Sequence, residues 1–358
     1  PPTDHVCLAT PSLTEPTIGP GQSSQADDNF ETVLYAATGS TQSITGIFQP
    51  DFVWIKARDG AGSGRQHMLF DSVRGATKDL NSHNDTSEAT VSTSLTSFNS
   101  DGFTIGGDSD VNTNGENFVS WNWKAGGSAS SNSDGSITSS VSANTDAGFS
   151  ICTYTGTSTV SESFGHGLNQ APELVITKAR NTTDAWRVHG SILGTDKFLA
   201  LSGTNAVATD SSNGGFPDNT DTLVNLGYES TNGTNYVAYC FHSVEGYSKV
   251  GSYVGNANAD GTFVYTGFRP AFLLWKNASA GSTQWIIFDA VRNTFNFADL
   301  QLRPNDTAAE IDGGASYGID LLSNGFKVRS SDSNFNGSGN TIIYLAFADQ
   351  PFKFANSR

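Results

Sequence analysis

The chain has 358 residues; 38 are Gly, 15% are charged and 11% are aromatic, and the formal net charge is −16. Chains that stay disordered are poor in aromatic residues, so this composition predicts a folded protein. The acidic excess argues against nucleic-acid binding and against docking on anionic lipids, because both partners require a cationic surface. No apolar run approaches the roughly 20 residues of a membrane-spanning helix, so we expect no membrane insertion.

The first 30 residues contain five Pro and little apolar surface, and we expect them to lie extended along a neighbouring domain. The chain opens Pro1-Pro2-Thr3, without an initiator Met or a signal peptide, and we interpret it as a fragment or a processed product. Three Cys are too few for a disulfide framework. Cys152 and Cys240 lie in predicted strands of one repeat, which leaves open a disulfide between them or two buried free thiols.

A strand pattern occurs three times along the chain. Pro50, Pro172 and Pro270 each precede an apolar run of four or five residues, and a Lys falls six residues after each Pro: Lys56, Lys178 and Lys276. Such a run is too short for a helix and is typical of a strand that is buried on both faces. Each unit closes on another strand, at 118–123, 236–241 and 342–347. In the first of these, a period of two places Val119, Trp121 and Trp123 on one face, which we expect to be the core.

Short strands separated by Gly, Asn and Asp turns predict an all-β fold of three tandem antiparallel β-sandwich or jelly-roll domains. The predicted organisation is an extended arm at 1–30, repeats at 31–125, 148–247 and 248–358, and a linker at 126–147. Because the linker consists mainly of Ser, Gly, Asn and Thr, we expect a flexible tether there. The connection at 245–250 is short, so the second and third repeats should form a rigid pair. Helical periodicity is nearly absent, and the best candidate, 297–300, is one turn at most.

Two loops have alternating oxygen side chains before a Gly, in the pattern Asp-x-Asn-x-Asn-Gly. Such loops can wrap Ca²⁺, but the bidentate Glu that is expected at the twelfth position is missing, and Trp121 stands there in the first loop. A polar hairpin before the closing strand is the alternative interpretation. The candidate ligands are Asp110, Asn112, Asn114, Asp332, Asn334 and Asn336.

No phosphate-binding loop, zinc-protease motif or nucleophile elbow occurs, and we assign no catalytic residue. Trp186 and Trp285 follow polar loops and are the candidates for stacking on sugars, whereas Trp54 and Trp275 lie in apolar runs and are expected in the core. Two repeated pairs are open to two interpretations, a ligand clamp or an ion pair that pins a loop to the sheet: Asp71 with Arg74, and Asp289 with Arg292.

Several blocks together resemble structural proteins of marine tailed bacteriophages, which carry tandem concanavalin-like or jelly-roll modules. The matching blocks are 48–56, 71–75, 99–104, 126–132, 134–137, 245–249, 265–270 and 346–352. The resemblance covers nearly the whole chain and implies lectin-like domains. It supplies no catalytic residue. Residues 1–18 are similar to the joint that follows an upstream lectin-like module.

The resemblance implies a virion structural protein in a tail fibre or spike-like appendage that binds host-surface glycans. It places the chain on the virion surface, among other virion proteins, as a homotrimer by analogy with phage fibres. A capsid-decoration or head-fibre protein with a purely structural role is the first alternative, and a polysaccharide depolymerase with converging carboxylates is the second. No cofactor is expected apart from the Ca²⁺ of the alternative above.

Overall fold

The computed structural model describes residues 16–19, 21–60, 64–159, 161–210, 215–227, 229–314 and 317–349. Cys7 and most of the predicted arm lie outside these residues. The two α-helices of the described residues have four residues each, and no helix there is long and apolar enough to cross a membrane.

The first repeat, 30–123, is a sandwich of a long and a short antiparallel sheet. The long sheet has the order β1-β9-β3-β4-β5-β6 and the short sheet the order β2-β8-β7. Its elements are β1 (Phe30–Ala36), β2 (Gln42–Thr45), β3 (Phe52–Ala57), β4 (Met68–Asp71), β5 (Lys78–Asn81), β6 (Ala89–Thr90), β7 (Leu95–Asn99), β8 (Gly102–Ile105), α1 (Ser109–Asn112) and β9 (Asn117–Trp123).

The second repeat, 130–241, has an eight-stranded long sheet with the order β10-β11-β12-β19-β14-β15-β16-β17, and a short sheet of β13 and β18. Its elements are β10 (Ser130–Asn132), β11 (Ser139–Asn144), β12 (Phe149–Thr155), β13 (Ser163–Gly165), β14 (Leu174–Ala179), β15 (Arg187–His189), β16 (Lys197–Ala200), β17 (Ala208–Thr209), β18 (Leu223–Asn225) and β19 (Asn235–Phe241).

The third repeat, 248–348, has a long sheet with the order β20-β28-β22-β23, which a bridge between Ile287 and Leu302 extends to the pair β24-β25. Its short sheet has the order β21-β27-β26. The elements are β20 (Ser248–Val254), β21 (Phe263–Tyr265), β22 (Pro270–Asn277), β23 (Trp285–Asp289), β24 (Leu300–Gln301), β25 (Ile311–Asp312), β26 (Ile319–Leu322), β27 (Gly325–Val328), α2 (Ser333–Asn336) and β28 (Thr341–Ala348).

The three repeats share one topology. In each, the closing strand pairs on one side with the Pro–Lys strand and on the other with an earlier strand of the unit, which is β1, β12 or β20. The predicted all-β sandwich class is confirmed. Equivalent residues follow from the pairing, since Trp54 faces Trp121, Ile176 faces Tyr239 and Leu274 faces Leu345 across the same two strands.

Both faces of each long sheet are buried, for different reasons. In the first repeat, Val53, Ile55 and Phe70 point to the short sheet and form the interior of that sandwich. The opposite face, which includes Trp54 and Trp121, packs into a core shared by all three repeats, below called the shared core. The predicted core face of Val119, Trp121 and Trp123 is therefore buried, but between repeats rather than inside one sandwich.

Ring contacts join every pair of repeats in the shared core. Phe52 of the first repeat stacks on Tyr239 of the second with 4.3 Å between ring centroids. Trp123 of the first repeat lies 5.8 Å, and Phe241 of the second 6.1 Å, from Phe347 of the third. These three rings lie at or next to the last residue of the closing strands, so the ends of the three long sheets converge there; we call this end the base. Phe30, which begins β1, also stacks on Phe347, so the first described repeat starts and the last one ends at the base.

The predicted flexible linker at 126–147 is wrong, because this segment extends the second sheet. β10 pairs with β11, and β11 pairs with β12 from Ser140 opposite Thr153 to Asn144 opposite Phe149. The composition hid the strand, because Ser and Asn supply little apolar signal. Val141 and Ser142 are nevertheless both buried. The connection between the first repeat and β12 therefore contains two ordered strands of the second long sheet.

The predicted helical turn at 297–300 is also wrong. Ala298 bridges Ile319 and Leu300 begins β24, so the segment is extended. Helical turns form instead at α1 and α2, where the side chains of Asp108 and Asp332 accept hydrogen bonds from backbone N–H groups of the first turn.

Within the predicted arm, Ile18 is buried in the shared core and the Thr17 hydroxyl donates to the carbonyl of Asp146 in the second repeat. A 3-10 turn at Ala26–Asp28 then leads into β1. Cys152 and Cys240 are buried free thiols, and no disulfide joins them.

Three buried lysines hold the repeats together in a closed cycle. The ammonium group of Lys178 donates to the carbonyl of Asp85 in the first repeat at 3.2 Å, and that of Lys276 to the carbonyl of Thr204 in the second at 3.5 Å. Lys56 closes the cycle by donating to the carbonyl of Thr307 in the third repeat at 3.2 Å. The three accepting carbonyls lie in the loops that follow β5, β16 and β24 of their repeats.

A second set of contacts follows the same cycle. The backbone N–H groups of Glu88, Val207 and Glu310 donate at 2.7–2.8 Å to the carbonyls of Arg180, Ala278 and Arg58 in the next repeat, respectively. In two of the three contacts a carboxylate adds to this bond. Glu88 accepts from Arg74 and Arg180, and Glu310 accepts from Arg292 and Arg58.

The first prediction concerns the 126–147 segment. Because β11 is hydrogen-bonded into the sheet, we expect thermolysin to leave 139–144 uncut under conditions that leave the repeats intact. Mass spectrometry of the fragments over time measures this. Early cleavage between Ser139 and Asn144 would show that the segment is the flexible tether after all.

The second prediction concerns Lys276. Desolvation lowers its pKa in the folded chain to about 8, from 10.5. Between these values the unfolded chain binds more protons, so the contribution of Lys276 to the free energy of unfolding rises with pH. We expect the destabilisation caused by Lys276→Met to grow between pH 7 and 9.5 in urea titrations. A difference that stays constant or shrinks over this range would contradict it.

Candidate functional site

The two tryptophans predicted to stack on sugars are buried between repeats, so that prediction is wrong. Trp186 is 0% and Trp285 is 1% exposed. Trp186 donates its indole N–H to the carbonyl of Asn81 in the first repeat, and Trp285 donates to the carbonyl of Ala200 in the second, both at 2.8 Å. The polar loops before them made these residues look accessible, but a neighbouring repeat covers each indole.

In the first repeat, His67 takes the position of these tryptophans, opposite the strand lysine. It is fully buried, and burial together with the nearby Lys56 holds its pKa well below the usual value. The indole of Trp54 donates to its Nδ1 at 3.0 Å. Trp54 and Trp275 are themselves buried, as expected for core residues.

The repeated Asp–Arg pairs are ion pairs inside the protein, with both side chains 0% exposed. Asp71 also accepts from the hydroxyl of Tyr239 in the second repeat at 2.8 Å, and Asp289 accepts from the indole of Trp121 in the first repeat at 3.0 Å. The ion-pair interpretation is therefore the one that the structure supports. Each pair pins its own loop and also reaches into a neighbouring repeat.

The two predicted calcium loops are built as short helical turns whose oxygens already have protein donors. Asp110 accepts from the backbone and side chain of Gln66, and Asn112 from the backbone N–H groups of Thr38 and Gly39. Asn114 lies at the exposed end of the loop.

In the third repeat, Asp332 accepts from Asn334, Asn334 accepts from the N–H of Gln284, and Asn336 accepts from the N–H of Asn256. Across the described ranges, no group of three or more His, Cys, Asp or Glu side chains is placed to hold a metal ion. These contacts favour the structural-turn alternative.

The outer surface of the third repeat has an exposed aromatic pair that the sequence interpretation missed. Phe263 is 45% and Tyr265 is 64% exposed, while Val264 between them is buried. Alternation on β21 points both rings outward, about 7 Å apart along the strand. Most exposed large apolar side chains among the described residues belong to this repeat: Val254, Phe263, Tyr265, Val291, Phe295 and Phe297, against Leu34 in the first.

Polar side chains surround the pair. Lys327 lies opposite Phe263 and forms an ion pair with Asp260 at 2.8 Å, and Arg329 approaches Asp320 at 3.4 Å. Opposite Tyr265 stands Gly325, which has no side chain to cover the ring. We call Phe263, Tyr265, Lys327 and Asp320 the aromatic face. It combines flat apolar surface with hydrogen-bonding groups of both signs.

The equivalent strand of the first repeat lacks this surface. The register that aligns Ile44 with Val264 puts Ser43 and Thr45 of the first repeat at the positions of Phe263 and Tyr265, and the Ser43 hydroxyl lies 3.1 Å from that of Thr104. The signal in the sequence was the Phe-Val-Tyr alternation in a strand whose counterpart is polar.

The third prediction concerns Trp285. Trp285→Phe removes packing from the shared core and the indole hydrogen bond to the Ala200 carbonyl, which keeps only the Gly203 N–H as a donor, so we expect the free energy of unfolding to fall by about 2–4 kcal/mol. Trp186→Phe is the matched change in the second repeat and should behave alike. Urea denaturation measures both. Unchanged stability together with a loss of glycan binding would restore the sugar-stacking interpretation.

A sequence model of the family described as "Domain of unknown function (DUF7483)" matches residues 25–351. No curated protein and no solved structure matches the chain. The matched stretch contains the three repeats, the lysine cycle and the aromatic face. The chain therefore belongs to the DUF7483 family.

Proposed function

We propose that the chain is a structural module of a tailed-phage virion, in a fibre or spike-like appendage, and that its third repeat binds host-surface glycans through the aromatic face. The observation that carries the glycan part is the outward pair of Phe263 and Tyr265. Large exposed apolar surface on a folded chain commonly marks an interaction site. The rings lie on a strand of a hydrogen-bonded sheet, so they are presented in a fixed geometry.

The chemistry of the aromatic face suits a sugar. The C–H face of a pyranose is apolar and packs on an aromatic ring, while its hydroxyls need donors and acceptors at the rim. Lys327 supplies donors on the strand beside the rings, and Asp320 supplies acceptors on the next strand. One such shallow contact is weak, and several copies on one particle raise the effective affinity without any new contact.

The virion part of the proposal is supported by the resemblance of the sequence blocks. Two of these blocks also contain residues that form inter-repeat contacts. Block 48–56 contains Trp54 and Lys56, and block 71–75 contains the Asp71–Arg74 pair. A body fastened by these contacts suits a load-bearing appendage. Three repeats of one chain already enclose a shared core, so the homotrimer of the analogy would bring three such bodies together. The proposal assigns no catalytic role and no cofactor.

Position on the virion separates this proposal from the capsid-decoration alternative. Antibody labelling of intact particles, viewed by electron microscopy, should mark the fibres or the tail tip. Label spread over the capsid would favour decoration. Particles without label would remove the virion assignment.

The fourth prediction tests the aromatic face. We expect the double variant Phe263→Ala, Tyr265→Ala to bind host-surface polysaccharide at least about ten-fold more weakly than the wild type, which corresponds to about 1.4 kcal/mol. A glycan array with the full chain, followed by titration of the best ligand, measures this.

The matched control is Ser43→Ala, Thr45→Ala at the same positions of the first repeat, which should bind like the wild type. Both double variants change exposed side chains, so both should keep the wild-type melting temperature. Equal binding by the two variants, or no binding by the wild type to any host glycan, would contradict the proposal.

A further inference from the structure

The first long sheet ends at β1, whereas the second long sheet has two further strands beyond the equivalent strand β12. β1 ends the order of its sheet, and no other described strand pairs with its free side. Its counterpart β12 is an interior strand, because β11 and β10 add to it. An unpaired edge presents a row of free backbone N–H and C=O groups, which is a template for another strand.

A groove of about 920 Å³ lies beside this open edge. Phe30, Glu31 and Thr32 of β1 form one wall, and Val291 and Phe295 of the third repeat form the other. Phe295 is 84% exposed, which is unusual for a Phe in a folded protein. The groove therefore joins a hydrogen-bonding edge to an apolar wall, as in sites that bind extended peptides by strand addition.

The second repeat shows what fits this position. Phe30 and Phe149 are equivalent, since each faces the last residue of its closing strand, Trp123 or Phe241. β11 pairs with β12 from Phe149 to Thr153. The equivalent stretch of β1 runs from Phe30 to Leu34, and its first three residues line the groove.

The charges of the groove select the occupant. Asp27, Glu31 and Asp349 lie around it, and the one cation in the lining, Arg269, is paired with Asp349 at 2.7 Å. Burial and the neighbouring Asp27 and Asp349 raise the pKa of Glu31 to about 7, so a cation close to Glu31 would relieve an unfavourable charge.

We propose that this groove binds an extended strand of a partner polypeptide, with alternating apolar and basic side chains, which adds to β1 as β11 adds to β12. A second copy of this chain fits poorly, because pairing β1 with β1 brings two Glu31 side chains and two chains of net charge −16 together. The proposal does not rest on glycan binding, which uses a different face of the third repeat.

The probe is a fluorescein-labelled peptide, Thr-Val-Lys-Phe-Lys-Val-Thr, titrated with the full chain and followed by fluorescence anisotropy. We expect saturable binding. The same peptide with Glu in place of both Lys should bind at least ten-fold more weakly, and so should a peptide whose central amide nitrogens are methylated. The first control tests the charges of the groove, and the second tests the backbone ladder.

Two variants locate the site. Glu31→Lys and Phe295→Ala should each weaken binding of the basic peptide at least ten-fold. The matched controls are Ser252→Lys and Val254→Ala at exposed positions of β20, which ends the long sheet of the third repeat; they should bind like the wild type.

Four results would overturn the proposal. The first is equal binding of the basic and acidic peptides, and the second is binding that neither Glu31→Lys nor Phe295→Ala changes. The third is that the basic peptide binds neither the wild type nor a variant with Phe352→Ser and Phe354→Ser. If the peptide binds that variant but not the wild type, the occupant of the groove is the segment 350–358 of this chain. The fourth is concentration-dependent dimerisation, measured by light scattering, that Glu31→Lys or Phe295→Ala abolishes, since a second copy would then be the occupant.

Discussion

Each repeat depends on a buried ammonium group at the end of its Pro–Lys strand. A buried charge is unfavourable unless hydrogen bonds surround it, and the loop of another repeat supplies one of the accepting carbonyls for each of the three lysines. The loop therefore has to stand where the lysine ends, which fixes the position of one long sheet against the next. The indoles of Trp186 and Trp285 then meet their carbonyls, and the aromatic residues behind them close the shared core.

The three inter-repeat contacts differ in polarity. In each contact the two facing residues are either both polar or both without a polar side-chain group. The Asp71 carboxylate faces the Tyr239 hydroxyl, and the Asp289 carboxylate faces the indole of Trp121. At the position of Asp71 and Asp289, the second repeat has Gly190, which follows the paired residue His189. At the position of Tyr239 and Trp121, the closing strand of the third repeat has Leu345. At these three positions a polar partner and its counterpart are thus present together or absent together, which avoids burying one of them without the other.

The sequence pattern predicts what depends on neighbours along the chain. Period-two alternation correctly identifies the buried face of Val119, Trp121 and Trp123, and the repeated Pro–Lys strands reveal the threefold repetition. Contacts with a different repeat leave no such local signal. Trp186 and Trp285 look accessible in the sequence because the residues that cover them are distant along the chain. The segment 126–147 looks flexible because it has few apolar residues, and its order comes from backbone hydrogen bonds to β12. The aromatic face escaped notice because the comparison that reveals it, Phe263 against Ser43, needs the structural register.

The closed lysine cycle also sets an order of events during synthesis. Lys56 and Thr307 are separated by 251 positions, and Arg58 and Glu310 by 252. The first repeat is complete at Trp123, whereas β28 ends only at Ala348; at 5–20 residues per second, the ribosome needs about 10–45 s for the stretch between them. For that time the nascent first repeat lacks the rings of the third repeat that cover Phe30, Trp121 and Trp123 in the folded chain. The aromatic surface of the first repeat is therefore exposed while the rest of the chain is being synthesised. Chaperones that bind exposed aromatic residues can act during this period.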